Sequence, residues 1–167
     1  DLSLRNAKYM LLDLQKRKIN NIEKQDNKRI LEQLQKDLHL VNRPKHIECF
    51  DNSNTQGTYP VAACVVFKNA RPSKKDYRHF NIKTVVGPDD YASMEEVVYR
   101  RYKRLLDEEQ PLPELIVVDG GKGQLSSAVK SLDKLKIRGK IAIIGIAKRL
   151  EEIYFPGDSV PLYLDKR

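Results

Sequence analysis

Two apolar runs in this chain end on an aspartate: "IECFD", residues 47–51, and "LIVVD", residues 115–119. Ligands of open α/β sheets bind where strands end. If the two strands are neighbours, Asp51 and Asp119 meet at one sheet edge, close enough to share one cation. Two carboxylates at close range repel unless a cation lies between them. Oxygen ligands with open coordination positions suit Mg²⁺ or Mn²⁺. The plainer alternative is that each aspartate caps a turn or a helix.

Asp119 opens a second feature, "DGGKGQ", residues 119–124. Glycines let backbone N–H groups approach a phosphate closely, and a helix N-terminus behind them favours an anion. Gly121, Lys122 and Gly123 are therefore candidate phosphate contacts, with a plain tight turn as the alternative. Neither a Walker A loop nor G-x-G-x-x-G is present. Asp89 and Asp90 stand at the start of a helical pattern, where one can cap the helix and the other can face the carboxylate site. "YRRYKR", residues 99–104, reads as a solvated helix surface or a track for a phosphate backbone. His39, His46 and His79 lack metal-ligand spacing, and no serine or threonine has a His–Asp partner in motif form, so nucleophilic catalysis has no support.

The rest of the chain must position these residues. With 167 residues, 40% hydrophobic and 32% charged, it has enough apolar content for one domain with a core and is not a disordered polyelectrolyte. No run approaches the ~18 apolar residues of a membrane span. No signal peptide is visible, and a start without Met suggests a piece of something longer. Cys49 and Cys64 lie in apolar runs and read as buried thiols in a reducing cytoplasm. The formal charge is +8, with the excess in residues 1–45 (eleven Lys and Arg against six acids) and 111–167 (ten against seven). That balance points to a polyanion partner such as nucleic acid, or to a merely soluble surface.

Residues 1–45 read as a helical arm or linker, two helices or one long interrupted one. Leu4, Ala7, Leu11 and Leu14, then Ile30, Leu31, Leu34 and Leu38, recur at helical spacing. "KINNIEKQDNKR" breaks the pattern, and Asn42-Arg43-Pro44 ends it. One of the two stripes is expected to pack on the core, since leaving both in water forgoes roughly 1.5–3 kcal/mol per large apolar side chain. From His46 onward come three strands with a turn near Asn69–Ser73. A helix follows, opened by Pro88 and Asp89, with Tyr91, Met94, Val98, Tyr102 and Leu105 facing inward. Then come the strand ending at Asp119, a second helix, the strand "KIAIIGIAK" and a hairpin turning at Pro156-Gly157-Asp158. "PVAACVVF" is apolar throughout, as in a strand covered on both faces. The order β-β-β-α-β-α-β predicts a mixed sheet with helices packed on it.

"IECFDNSNTQG", "VAACVVF", "DYRHFNI", "DDYASMEEVVYRRY", "LIVVDGGKGQL" and "IAKRLEEIYFPG" are ordered blocks. They resemble the C-terminal endonuclease region of the UvrC family of bacterial excinuclease ABC, from about His46 to the end. The resemblance implies a ribonuclease-H-like fold: a mixed sheet of about five strands flanked by helices, with the helical arm in front. It implies metal-dependent cleavage of a DNA phosphodiester 5′ of a lesion in nucleotide excision repair, in the bacterial cytoplasm. The partners would be damaged double-stranded DNA and the B component of excinuclease ABC, the damage-recognition helicase. Asp51, Asp119 and Asp90 would be catalytic, with Mg²⁺ or Mn²⁺ on Asp51 and Asp119. Lys122, Gly121, Gly123, Lys148 and Arg149 would contact phosphate. The neutral Asn52, Ser53 and Thr55 beside Asp51 can hydrogen-bond a carboxylate or a phosphate without competing for the cation.

Asn52 departs from the family pattern, which commonly has an apolar residue there. The family's catalytic histidine and tandem helix-hairpin-helix module are expected beyond Arg167, so this segment alone is expected to be weak or inactive as a nuclease. Two other readings stay open: a non-catalytic DNA- or protein-binding module of the same fold, and a nucleotide-binding domain that uses the glycine loop.

Overall fold

The computed structural model describes residues 2–53, 60–87, 89–149 and 151–163. Asn54–Gly57 and Pro88, singled out above, lie outside the described residues.

The arm is a single unbroken helix, α1 (Leu2–Asp37), about 54 Å long at 1.5 Å per residue. The expected interruption does not occur. "KINNIEKQDNKR" is polar, but it contains no Gly or Pro, and half of it is Lys, Glu, Gln and Arg, which are good helix formers, with Asn, Asp and Ile between them. The helix ends at Asp37, ahead of Asn42-Arg43-Pro44. His39 takes the left-handed conformation (φ 52°), and the Gln35 side chain donates to the carbonyls of Leu40 and Val41. Of the two apolar stripes, the second packs: Leu31 and Leu38 are buried and Leu34 joins them, while Leu4, Leu11 and Leu14 stay exposed.

β1 (His46–Ser53) pairs antiparallel with β2 (Val61–Lys68) and parallel with β5 (Leu115–Asp119). β5 pairs parallel with β6 (Ala142–Ala147), so β1, β5 and β6 run side by side in the same direction. β2 carries two short partners on its other edge, β3 (Arg71–Pro72) and β4 (Arg78–Asn81). These were expected to be one strand. Pro72 has no N–H for the ladder, and a 3₁₀ turn at Lys74–Asp76, closed by a 2.6 Å bond from the Ser73 hydroxyl to Asp76, separates them. The hairpin is β7 (Glu152–Tyr154) and β8 (Leu162–Tyr163), which extends the sheet beyond β6. The order is β3-β2-β1-β5-β6-β7-β8, with β4 also on β2. Among the described residues, five strands, β1, β2, β4, β5 and β6, have four residues or more.

α2 (Asp90–Asp107) and α3 (Lys122–Lys134) cover one face of the sheet. Met94, Val98, Tyr102 and Leu105 of α2 are buried there with Phe50, Ile116 and Val118. Tyr91 is exposed, contrary to its place in the expected stripe. The opposite face is a smaller layer of Leu115, Ile144 and Ile153 under Leu38, just past the end of α1. This asymmetry explains β2: Ala62, Cys64 and Val66 are buried under the helices, but Val61, Ala63, Val65 and Phe67 are only half-covered on the other side.

Candidate active site

Side chains alternate between the two faces along a strand. Ile47 in β1, Leu115 and Val117 in β5, and Ile144 and Ile146 in β6 all face the α1 side. Counting onward by twos brings Asp51, Asp119 and Lys148 to the same face at the ends of three adjacent parallel strands. The register agrees, since Phe50 pairs with Val118, one step before Asp51 and Asp119. The two carboxylates do meet. The Lys148 ammonium contacts Asp119 Oδ2 and lies 3.9 Å from Asp51 Oδ2.

The electrostatics follow from this convergence. Burial first, then the Asp119 carboxylate, push the Asp51 carboxyl above the usual range, and Lys148 opposes the rise. Lys148 is held up by its hydrogen bond and charge contact with Asp119. Cys49, two residues before Asp51 on the same face, has its thiol pushed up to about 11 by burial and by the two carboxylates. It is an inert thiol at neutral pH. Cys64 is buried and its thiol is raised further.

Asp89 takes the capping role at α2, accepting from Ala92 N at 3.0 Å. Asp90 begins the helix, and its carbonyl accepts from Asn52 Nδ2 at 2.9 Å. Asn52 thus ties the end of β1 to the start of α2. Asp90 lines a groove with Asp89, Tyr91 and residues 121–124. Among the described residues no three His, Cys, Asp or Glu side chains converge as a metal-ligand set, so Asp90 does not join the Asp51–Asp119 pair in this structure.

The glycine loop divides its roles. Gly120 sits at φ +154°, where a Cβ would strike Gln124. A Cβ on Gly123 would meet the Tyr91 ring at 2.5 Å, so this glycine serves the packing of α2 against α3. Of the three, only Gly121 faces open space. Lys122 donates to the Ser159 carbonyl and sits 5.5 Å from the Tyr154 ring centre, which fastens the hairpin loop to α3. Arg149 is exposed.

The helical cations of "YRRYKR" are all engaged. Arg100 donates to the Asn81 carbonyl and to Glu96, and Lys103 and Arg104 pair with Asp107 and Glu108. Arg101 grips Glu48 through two bonds of 3.0 and 2.9 Å. Glu48 was not singled out from the sequence. It is fully buried, and it also accepts from Tyr102 Oη and contacts His46 Nε2. Burial alone would raise its carboxyl, but His46 and Arg101 hold it down at about 2. A lone acid inside the apolar run "HIECF" was the available signal.

The donor chemistry at the Asp51 edge fits a hard divalent cation. It offers two carboxylates whose repulsion Lys148 relieves. The two carboxylates are oxygen ligands of the kind Mg²⁺ and Mn²⁺ prefer. Asn52 Oδ1 and Gln124 Oε1 are also buried without a hydrogen-bond partner among the described residues, but they lie on the helix side, Asn52 bonded to the Asp90 carbonyl and Gln124 lining the groove with Asp90.

A mixed sheet with paired carboxylates at the ends of its two central parallel strands, helices on one face and a helical arm on the other, defines a ribonuclease-H-like α/β domain. Residues 35–167 match the family described as the UvrC RNase H endonuclease domain, and the chain belongs to that family. The UvrABC system protein C of Flavobacterium johnsoniae is 70% identical over 168 residues, covering 100% of this chain and 28% of its own length. That of Porphyromonas gingivalis is 61% identical over 167 residues, with the same coverage. The chain thus spans about 28% of the length of these relatives. Among solved structures, endonuclease V of Ciona intestinalis bound to a 24mer DNA aligns at TM-score 0.46 and 20% identity, over 72% of this chain and 52% of that one.

Among the described residues, no helix is long and apolar enough to cross a membrane.

Proposed function

We propose that this chain is the core of a metal-dependent DNA endonuclease that makes the 5′ incision of nucleotide excision repair. Its substrate would be damaged double-stranded DNA and its partner the damage-recognition helicase of excinuclease ABC, in the bacterial cytoplasm. The observation that carries the reading is the meeting of Asp51 and Asp119 at adjacent strand ends, with Lys148 as the chain's own counter-cation.

Asp51 and Asp119 would hold Mg²⁺ or Mn²⁺. When bound, the cation supplies activation of water and stabilisation of the charge that develops on the phosphate oxygens. Asp90 would act from the neighbouring groove, its backbone steadied through Asn52. The Lys148 ammonium, resting on the carboxylates here, would turn to a phosphate oxygen once their charge is neutralised. Gly121 offers an open backbone for the same phosphate, and the exposed Arg149 would contact the DNA strand beside it. Gly123 and Lys122 serve the site by fixing α2 and the hairpin loop, and any phosphate contact from Lys122 would require it to leave Ser159.

The test is calorimetric titration of this chain with MnCl₂. Binding that disappears in Asp51→Asn and Asp119→Asn supports the reading. Undiminished binding in both variants defeats it. The second arm is incision of a lesion-containing duplex by a full-length relative carrying either substitution. Retained 5′ incision would reduce the domain to a binding module.

A further inference from the structure

At the far end of β1, away from the carboxylates, the chain gathers cations at some local cost. β2 and β3 are joined by the two-residue turn Asn69-Ala70, both in the left-handed region (φ 52° and 62°). An alanine is strained there, where glycine would be ordinary. Lys68 and Arg71 sit directly opposite each other across the turn, and like charges at such positions repel. Each has one acid: Asp76 lies 2.9 Å from Lys68, and Glu23 of α1 pairs with Arg71. The Asn69 N–H donates to the Lys45 carbonyl at 2.8 Å, which fixes Lys45 beside the pair.

Two grooves meet here and share Lys68. One lies between α1 and the turn and adds Lys24 and Lys28; the other runs past Arg78 toward α2. Lys24, Lys45 and Arg78 are exposed and have no carboxylate partner among the described residues. A protein interface needs an apolar or aromatic core, yet the only apolar linings are Leu31 in the first groove and Leu105 and Pro111 in the second. A track of cations running through two connected grooves suits a repeating anion.

We infer that the β2–β3 turn and the adjoining flank of α1 form a second contact surface for the phosphate backbone of nucleic acid, separate from the carboxylate site. Lys45 precedes Asp51 by six residues along β1, which is ~20 Å at about 3.3 Å per residue. About six phosphates of one DNA strand cover that distance at 3.4 Å each. A duplex engaged at Asp51 and running along β1 therefore meets this turn. The surface depends on its charges alone and stands whether or not the carboxylates are catalytic.

The experiment measures binding of this chain to a fluorescein-labelled undamaged duplex by anisotropy, from ~50 to ~200 mM salt. It is done in the Asp51→Asn, Asp119→Asn background so that the other site cannot cut. Lys24→Ala with Lys45→Ala should lower the magnitude of the slope of log K against log salt by about 1.8, at 0.9 per phosphate contact. Lys24→Arg with Lys45→Arg should restore it, and circular dichroism should show both variants folded as the parent. Three results would overturn the inference: no salt-dependent duplex binding by the parent, an unchanged slope in the alanine variant, or a loss confined to labelled polyglutamate with duplex binding intact.

Discussion

Glu48→Gln isolates what holds the site's central strand in place. Glu48 sits three residues before Asp51 on β1 and points to the opposite face, where Arg101, Tyr102 and His46 converge on it. The substitution keeps the shape and removes the charge. It leaves the Arg101 guanidinium, only 11% exposed, without an anion. Removing one partner of a buried ion pair costs about 3–5 kcal/mol, a large share of a typical ~5–15 kcal/mol stability. The pH dependence gives a second measure. The carboxyl lies at about 2 instead of the ordinary 4.5, an interval worth ~3 kcal/mol at 1.36 kcal/mol per pH unit. Because the folded value is depressed, that stability is present above about 4.5 and is lost as pH falls toward 2. Urea denaturation of both proteins at neutral pH should therefore show the full deficit, and the gap should narrow as the pH falls through that window. Glu48→Leu with Arg101→Met removes both charges and should cost less than Glu48→Gln alone, because no buried cation remains. A Glu48→Gln deficit below ~1 kcal/mol, or a double variant that loses the sum of two large single effects, would refute this account.

Other consequences are as direct. Lys148→Met should tighten Mn²⁺ binding in calorimetry, since a competing cation leaves the two carboxylates; weaker binding would show that Lys148 is no competitor. Asp51→Asn should raise stability slightly at neutral pH and not in acid. The folded Asp51 carboxyl is raised by burial and Asp119, so wild-type stability falls as pH rises through it; with half its side chain exposed, the gain stays below about 1 kcal/mol, and a loss at neutral pH contradicts the reading. Gly123→Ala meets only the outer end of the exposed Tyr91 ring, which can swing aside, so its effect on stability should stay within about 0.5 kcal/mol in thermal unfolding, and a larger loss that Tyr91→Ala relieves would show the ring to be held in place. In α1 and just past its end, Leu38→Ala should cost about 2–5 kcal/mol, while Leu4→Ala and Leu11→Ala, at exposed positions, should stay within ~0.5 kcal/mol.

The site is legible in the sequence where a local period meets a terminus. "IECFD" and "LIVVD" are short apolar runs whose last residues share a face, and the βα alternation makes their strands neighbours. What stays hidden has its deciding partner far away along the chain. Tyr91 has helical spacing with Met94 and Val98, but it sits in the first turn of α2, where its ring covers Gly123 rather than the sheet. Arg101 reads as one more surface cation in "YRRYKR"; its true partner, Glu48, lies 53 residues away. Polarity suggested a break in α1, but polar residues with good helix propensity carry the helix on between two apolar stripes, and only the second stripe meets a core.

Glu48 and Asp51 show how one strand serves two purposes through its pleat. Even-numbered positions of β1 face the helices, and there the acid is neutralised by a guanidinium and sealed from water. Odd-numbered positions face the thinner layer, which ends before Asp51 does. Its carboxylate therefore meets another carboxylate and a flexible, solvent-exposed lysine. A buried bidentate arginine cannot yield its anion without a large cost. An exposed lysine can, because a surface pair contributes only ~0–1 kcal/mol. Two acids, three positions apart, are thus locked on one face and exchangeable on the other, and only the exchangeable one could give up its cation to a metal. Moving Arg101's grip to the Asp51 face would abolish metal binding even with both aspartates intact. Accordingly, Lys148→Arg should weaken Mn²⁺ binding in the same titration where Lys148→Met strengthens it, because the guanidinium pairs with carboxylates bidentately. Equal affinities for the two variants would show that the counter-cation's exchangeability does not govern the site.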